Sequence, residues 1–298
     1  MQPMGDVVRV NGTGLFVDDR GPRQGMPVLF IHGGRGNSCW DFMASAGERL
    51  AVAGARVIGV DQRGVLRSEP VGAAHPVTVS DLVEDFEALR AELGVERWVI
   101  IGHSAGGAYA LDYALSYPGG VVGAVFDCPA WDCDATDRYR LPKAADLLEE
   151  AGQPEAAQRC RSHALKAGRI TAADETWVSM QALGDDYMRL FLHDDASARA
   201  YTQVMSSAPE DLDWSKGLSH LPLLAEMYAS RLDKLSDLTV PHTLFHGVDD
   251  MVAAPNVIEA YRIATHSGVH TFEHSGHFAY VEEPDAYASA VQEFLRTL

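Results

Sequence analysis

The chain of 298 residues is 47% hydrophobic and 22% charged, long enough for one or two domains with a sizeable buried core. A formal net charge of −18 repels phosphate backbones and anionic lipid, which excludes a nucleic-acid or polybasic membrane role. No apolar run approaches the roughly 20 residues of a membrane span, and four cysteines, with no two-residue gap between any pair, exclude a disulfide framework or structural zinc site.

Met1 to Val10 mixes Gln2, Asp6 and Arg9 with small and apolar residues. It lacks the basic start and apolar stretch of a signal peptide, so a cytoplasmic location is expected. Short apolar runs then predict strands at Val7–Val10, Leu15–Asp18, Val28–His32, Val57–Asp61, Trp98–Gly102, Val121–Asp127, His242–His246 and Val269–Glu273. From the third onward the runs are mostly continuous rather than alternating, as strands covered by helices on both faces require. Helical spacing predicts helices over Val79–Leu93, Ala105–Tyr117 and Pro284–Leu298. Strands alternating with helices indicate an α/β fold with a mostly parallel, eight-stranded sheet. The alternation stops between residues 131 and 236, an Ala-, Leu-, Asp- and Arg-rich stretch with amphipathic patterns at Ala144–Ala151 and Glu155–Ala167. The expected organisation is a core of residues 1–130 and 237–298, with residues 131–236 inserted as a helical cap over the edge where open α/β sheets bind ligands.

Gly102-His103-Ser104-Ala105-Gly106-Gly107 follows a predicted strand and opens a predicted helix, the context of a G-x-S-x-G nucleophile elbow. The small neighbours suit a serine on a strained turn, and the helix start aims backbone N–H groups at developing negative charge. A serine hydroxyl needs a base and an acid that orients that base. His246-Gly247-Val248-Asp249-Asp250 follows the seventh strand, and His274-Ser275-Gly276-His277 follows the eighth, in the chain order Ser…Asp…His. His32-Gly33-Gly34-Arg35-Gly36, after the third strand, is a glycine turn able to present a second N–H to an oxyanion beside that of Ala105.

With these motifs the sequence resembles the α/β-hydrolase fold superfamily over nearly its whole length. His32-Gly33-Gly34-Arg35-Gly36 and Asp61-Gln62-Arg63-Gly64 resemble its proline iminopeptidase-like branch. The resemblance implies Ser104 as nucleophile, His277 as base, Asp250 as acid, and the N–H groups of Gly34 and Ala105 as the oxyanion hole. The sequence departs from that branch at Arg35, where Pro is usual, at Leu66, where Gly is usual, and at the elbow, which reads Gly-His-Ser-Ala-Gly rather than Gly-Gly-Ser-Trp-Gly. The cap carries no Trp-Glu pair of the kind that holds a substrate amino group in those peptidases.

Other residues near these motifs have plainer expected roles. Asp249 and Asp127 are rival candidates for the acid, but Asp249 is expected to be a solvated or capping carboxylate and Asp127 a cap for the chain entering Pro129, with His274 a packing or surface residue and His103 a satisfied packing histidine. Arg63 is expected to hold loops together through a carboxylate such as Asp61 or Asp41. Arg35, Trp40 and Trp131 are candidate substrate-binding residues, Arg35 as a partner for a substrate carboxylate or phosphate. Phe42, Trp177, Tyr187, Met188 and Met227 are either pocket or core. No metal ligand set and no cofactor motif is present. The expected activity is hydrolysis of an ester, thioester, lactone or amide of a small molecule. The alternatives are an aminopeptidase, a C–C hydrolase, lyase, cyclase or acyltransferase, and a non-catalytic ligand receptor on the same scaffold. The oligomeric state is left open.

Overall fold

The computed structural model describes residues 5–34, 36–72 and 76–298. Its eight strands are β1 (Asp6–Val10), β2 (Thr13–Arg20), β3 (Pro27–Ile31), β4 (Arg56–Asp61), β5 (Trp98–His103), β6 (Val121–Asp127), β7 (His242–Gly247) and β8 (Val269–Phe272). They form one sheet in the order β1-β2-β4-β3-β5-β6-β7-β8. The β1–β2 and β2–β4 pairs are antiparallel, and the rest, from β3–β4 to β7–β8, are parallel. The central strands β4 and β5 are buried at every position, which is why their sequences run apolar without alternation.

Helices cover the faces. Helix Val79–Glu92 begins at a capping box in which the Thr78 hydroxyl accepts from the Asp81 N–H and the Asp81 carboxylate accepts from the Thr78 N–H. Phe30 and Phe42 stack at 3.9 Å under the sheet, edge-on to Tyr280, so the first and last thirds of the chain share one core. Between β6 and β7 the described residues contain helices and no strand, from Cys133–Glu150 to Leu232–Asp237. The patterns read at Ala144–Ala151 and Glu155–Ala167 fall largely on helices Cys133–Glu150 and Pro154–Ala164. Among the described residues, no helix is long and apolar enough to cross a membrane.

The parallel strands put the loops after β3, β5, β7 and β8 at one edge of the sheet. That geometry brings Gly33-Gly34, Ser104, Asp250 and His277 to a common side despite their separation in sequence.

Candidate active site

Ser104 stands between β5 and the helix Ala105–Ser116 with φ +57° and ψ −123°, a conformation costly for any residue with a side chain. The turn is over-determined by its backbone. The Ser104 N–H donates to the Asp127 carbonyl at 2.9 Å, while the Ser104 carbonyl accepts from the N–H groups of Gly107 and Ala130, each at 2.9 Å. The flanking glycines are steric necessities: a Cβ at Gly106 would lie 2.2 Å from the Ile31 carbonyl oxygen, and one at Gly102 2.5 Å from the Gly106 oxygen.

His277, on the loop after β8, is buried and bonded through Nδ1 to Oδ1 of Asp250 at 2.7 Å. Burial alone would raise the Asp250 carboxyl. The His277 imidazole and the N–H groups of Ala253 and Val252, at 2.8 and 3.0 Å, outweigh it and hold the group below its usual range. An ionised Asp250 can only accept, so Nδ1 of His277 carries the proton and Nε2 is left as the basic atom. The His277 loop is fastened by Glu282, which sequence reasoning missed. Its Oε2 accepts from the N–H groups of Gly276 and Phe278, and its Oε1 from that of His193, which lies between β6 and β7. No spacing rule marks a carboxylate that works mainly by accepting from backbone N–H groups.

The glycine turn after β3 packs directly on the serine, since a Cβ at Gly33 would lie 2.4 Å from Ser104 Cβ. Gly34 has φ +53°. Gln62 locks this turn from below: its N–H donates to His32 Nε2 at 3.1 Å and its side-chain amide to the His32 carbonyl at 2.8 Å. Asp61 is paired with Arg67 at 2.7 Å and also accepts from Ser38 Oγ and the Cys39 N–H, so the Asp-Gln-Arg-Gly segment is a scaffold for the turn. Ala105 is the first residue of its helix, where an N–H has no acceptor within the helix. Gly34, Ser104, Ala105 and His277 all line one cavity of about 500 Å³.

Several expectations are corrected. Arg63 binds neither Asp61 nor Asp41; it forms a two-bonded pair with Asp85, both contacts at 2.6 Å, because Asp85 faces it from helix Val79–Glu92. Asp127 is no cap for the chain entering Pro129: its Oδ2 accepts from His103 Nδ1 at 2.9 Å, deep in the core. Asp249 is partly solvated as expected, and it also pairs with His193 Nδ1 at 2.7 Å. Trp131 is fully buried off the cavity wall, its indole N–H donating to the Gly107 carbonyl at 3.0 Å and its ring stacked on Tyr261. Trp40 is also absent from the cavity wall; it packs with Val65, Leu66 and Leu212, and its indole N–H donates to the Val204 carbonyl. Phe42 is core, whereas Trp177, Tyr187, Met188 and Met227 do line the cavity. Arg35 lies outside the described residues. His103 is buried as a packing residue, yet it also reaches the cavity wall. His274 stays exposed.

Cys128, Asp250 and His277 offer ligand atoms within 4.8 Å of one another. Burial, then the negative Asp250, pushes the Cys128 thiol well above its ordinary range, so it stays protonated and is a poor metal ligand. All four cysteines are free.

Residues 26–284 match a family model described as the alpha/beta hydrolase fold. A proline iminopeptidase of Heyndrickxia coagulans is 26% identical over 284 residues, covering 92% of this chain and 92% of its own. Among solved structures, a proline iminopeptidase-related protein from Thermus thermophilus superposes with a TM-score of 0.79 at 23% identity, over 100% of this chain and 99% of that one. A thermophilic esterase from Thermogutta terrifontis superposes with a TM-score of 0.69 at 20% identity, over 98% and 96% of the two chains.

Proposed function

The chain belongs to the alpha/beta hydrolase fold family, in its proline iminopeptidase-like branch, and on that footing we propose that it is a serine hydrolase cleaving an ester, thioester, lactone or amide of a small molecule through an acyl-enzyme on Ser104. One observation carries the reading. A serine held in a left-handed elbow shares a cavity wall with an imidazole whose Nδ1 is bonded at 2.7 Å to an ionised, buried carboxylate.

In this mechanism Ser104 Oγ attacks the substrate carbonyl carbon and its proton passes to His277 Nε2. Asp250 keeps the ring in the productive tautomer and stabilises the imidazolium. The N–H groups of Gly34 and Ala105 take up the oxyanion charge. Collapse expels the leaving group, which receives the proton from His277. Water then attacks the acyl carbon, again giving a proton to His277, and releases the acid with Ser104 restored. Residues 131–236 act as the cap that closes the cavity over the strand ends and sets which substrates enter.

The relatives named as proline iminopeptidases favour a second reading, removal of an N-terminal residue. That reading needs a carboxylate to hold the substrate ammonium. Among the described residues none lines the cavity, and the residues outside the description (Met1–Met4, Arg35, Ala73, Ala74 and His75) include no Asp or Glu. The first reading is therefore preferred, and proline para-nitroanilide is the control substrate.

The test is intact-protein mass spectrometry after treatment with a fluorophosphonate. A single adduct on the wild type, absent from Ser104→Ala, is the expected result. An adduct that persists on the variant, or none on the wild type, overturns the reading.

A further inference from the structure

The chain carries 42 Asp and Glu against 24 Lys and Arg, so a random patch of its surface is negative. The cavity wall inverts that balance. Among the described residues, Arg140 is the only lining side chain with a permanent charge. His220, on the same wall, is held neutral down to about pH 4, chiefly by burial. The rest of the wall is uncharged, mixing apolar and aromatic residues such as Tyr187, Met188 and Met227 with polar ones such as Asn37, Thr176 and Gln181.

Arg140 lies on helix Cys133–Glu150, one turn after Asp137. Its Nε and Nη2 both donate to Asp137 Oδ1, at 3.0 and 2.6 Å. Asp137 Oδ2 is taken by the Thr176 hydroxyl at 2.7 Å and by the Tyr228 hydroxyl. The pair is presented asymmetrically. The Asp137 side chain is 0% exposed, walled in behind its donors, whereas the Arg140 side chain is 18% exposed, on the cavity side. Arg140 Nη1 donates to no described acceptor. A desolvated ion pair is an expensive way to hold one helix turn, because an apolar pair would do as well or better. The same pair, with its carboxylate saturated and the outer edge of its guanidinium open, is a preorganised fork for a second carboxylate.

We propose that Arg140 is the anchor for an anionic group of the substrate, so that the preferred substrates carry a carboxylate remote from the scissile carbonyl. This rests on the serine hydrolase reading, which supplies the scissile carbonyl. The carboxylate would take two donors of the Arg140 fork while the carbonyl lies between Ser104 and the oxyanion donors.

The experiment compares matched esters. Mono-para-nitrophenyl adipate against para-nitrophenyl hexanoate places the carboxylate on the acyl side, and para-carboxyphenyl acetate against phenyl acetate places it on the leaving side. Because Arg140→Gln alone would strand a buried Asp137 charge, the working variant is Asp137→Asn with Arg140→Gln, which removes both charges and keeps amides in place. In at least one pair the wild type favours the anionic ester in kcat/KM, and the double variant lowers that anionic-to-neutral ratio by roughly 10–100-fold, as loss of a charged hydrogen bond predicts. A ratio unchanged by the double variant in both pairs overturns the inference. Calorimetry with free adipate reads the same site without turnover: binding to the wild type, lost in the double variant, supports the inference, and equal or absent binding overturns it. Failure of fluorophosphonate labelling would instead remove the hydrolase reading and leave the adipate result to decide the anchor.

Discussion

Two histidine–aspartate pairs stand side by side in this core, with the His103 and His277 rings 4.5 Å apart between centroids. Asp250 serves His277 at 2.7 Å and Asp127 serves His103 at 2.9 Å. The assignment of His277 as base predicts unequal losses. Asp250→Asn should lower kcat by about 10³–10⁴-fold, because the His277 ring then takes the wrong tautomer. Asp127→Asn should lower it by less than about tenfold, since it acts on a ring that only packs beside the base. Steady-state kinetics normalised to intact folded protein give the answer, and the reverse order would move the catalytic acid to Asp127. Gly33 supplies a second residue-scale prediction. An alanine methyl there meets Ser104 Cβ at 2.4 Å and the His103 carbonyl at 2.6 Å, and neither is a flexible end that can swing away. If Ser104 is the nucleophile proposed above, displacing it by a fraction of an ångström should cost Gly33→Ala about a hundredfold in kcat.

At the scale of elements, the segments following strand ends are held by buried polar ties. Asp41, in the helix Trp40–Met43, accepts from Tyr280 of the helix Ala279–Glu282 at 3.0 Å and so joins two distant parts of the chain. Burial raises the Asp41 carboxyl from 3.8 to about 6. The folded state therefore holds this proton more tightly than the unfolded state. Its contribution is fully present below the unfolded value and is lost as pH rises through about 6. Between about pH 4 and about pH 7 the wild type should lose about 2 kcal/mol relative to Asp41→Asn, as judged by urea midpoints at each pH. Leu66, on the loop after β4, holds a left-handed φ of +44° yet is fully buried with Val65 and Leu212. Leu66→Gly relieves about 1 kcal/mol of backbone strain and gives up about 3 kcal/mol of buried side chain. Burial wins, and the variant should be less stable by about 2 kcal/mol in denaturant unfolding.

For the molecule as a whole, the net charge of −18 remains after local ion pairing. Repulsion among the excess carboxylates opposes the compact state, and salt screens it over a Debye length of about 10 Å at about 0.1 M. Raising sodium chloride from about 0.01 M to about 0.1 M should raise Tm; a falling Tm would mean that paired charges dominate. Against that acidic exterior the cavity lining is a local exception, with Arg140 facing in and its partner Asp137 sealed behind it.

The strands, the elbow and the glycine turn were legible in the amino-acid order because each answers to a short-range rule. Continuous apolar runs such as Val28–Ile31 suit only strands covered on both faces, and the Gly102–Gly106 spacing suits a turn with no room for side chains. The loops bearing Ser104, Asp250 and His277 followed from their places after strands. Partner choice was not legible. In a chain with 42 carboxylates nothing local tells Arg63 to take Asp85, Asp127 to take His103, or Asp137 to turn the Arg140 fork toward the cavity. The first two pairings join residues whose separation in sequence has no bearing on their separation in space, whereas Asp137 and Arg140 are neighbours on one helix and only the direction of the guanidinium's free edge is a tertiary matter. Packing of helix Val79–Glu92 against the loop after β4, and of β6 beside β5, decided those two pairings, while the residues between β6 and β7 supply much of the cavity lining.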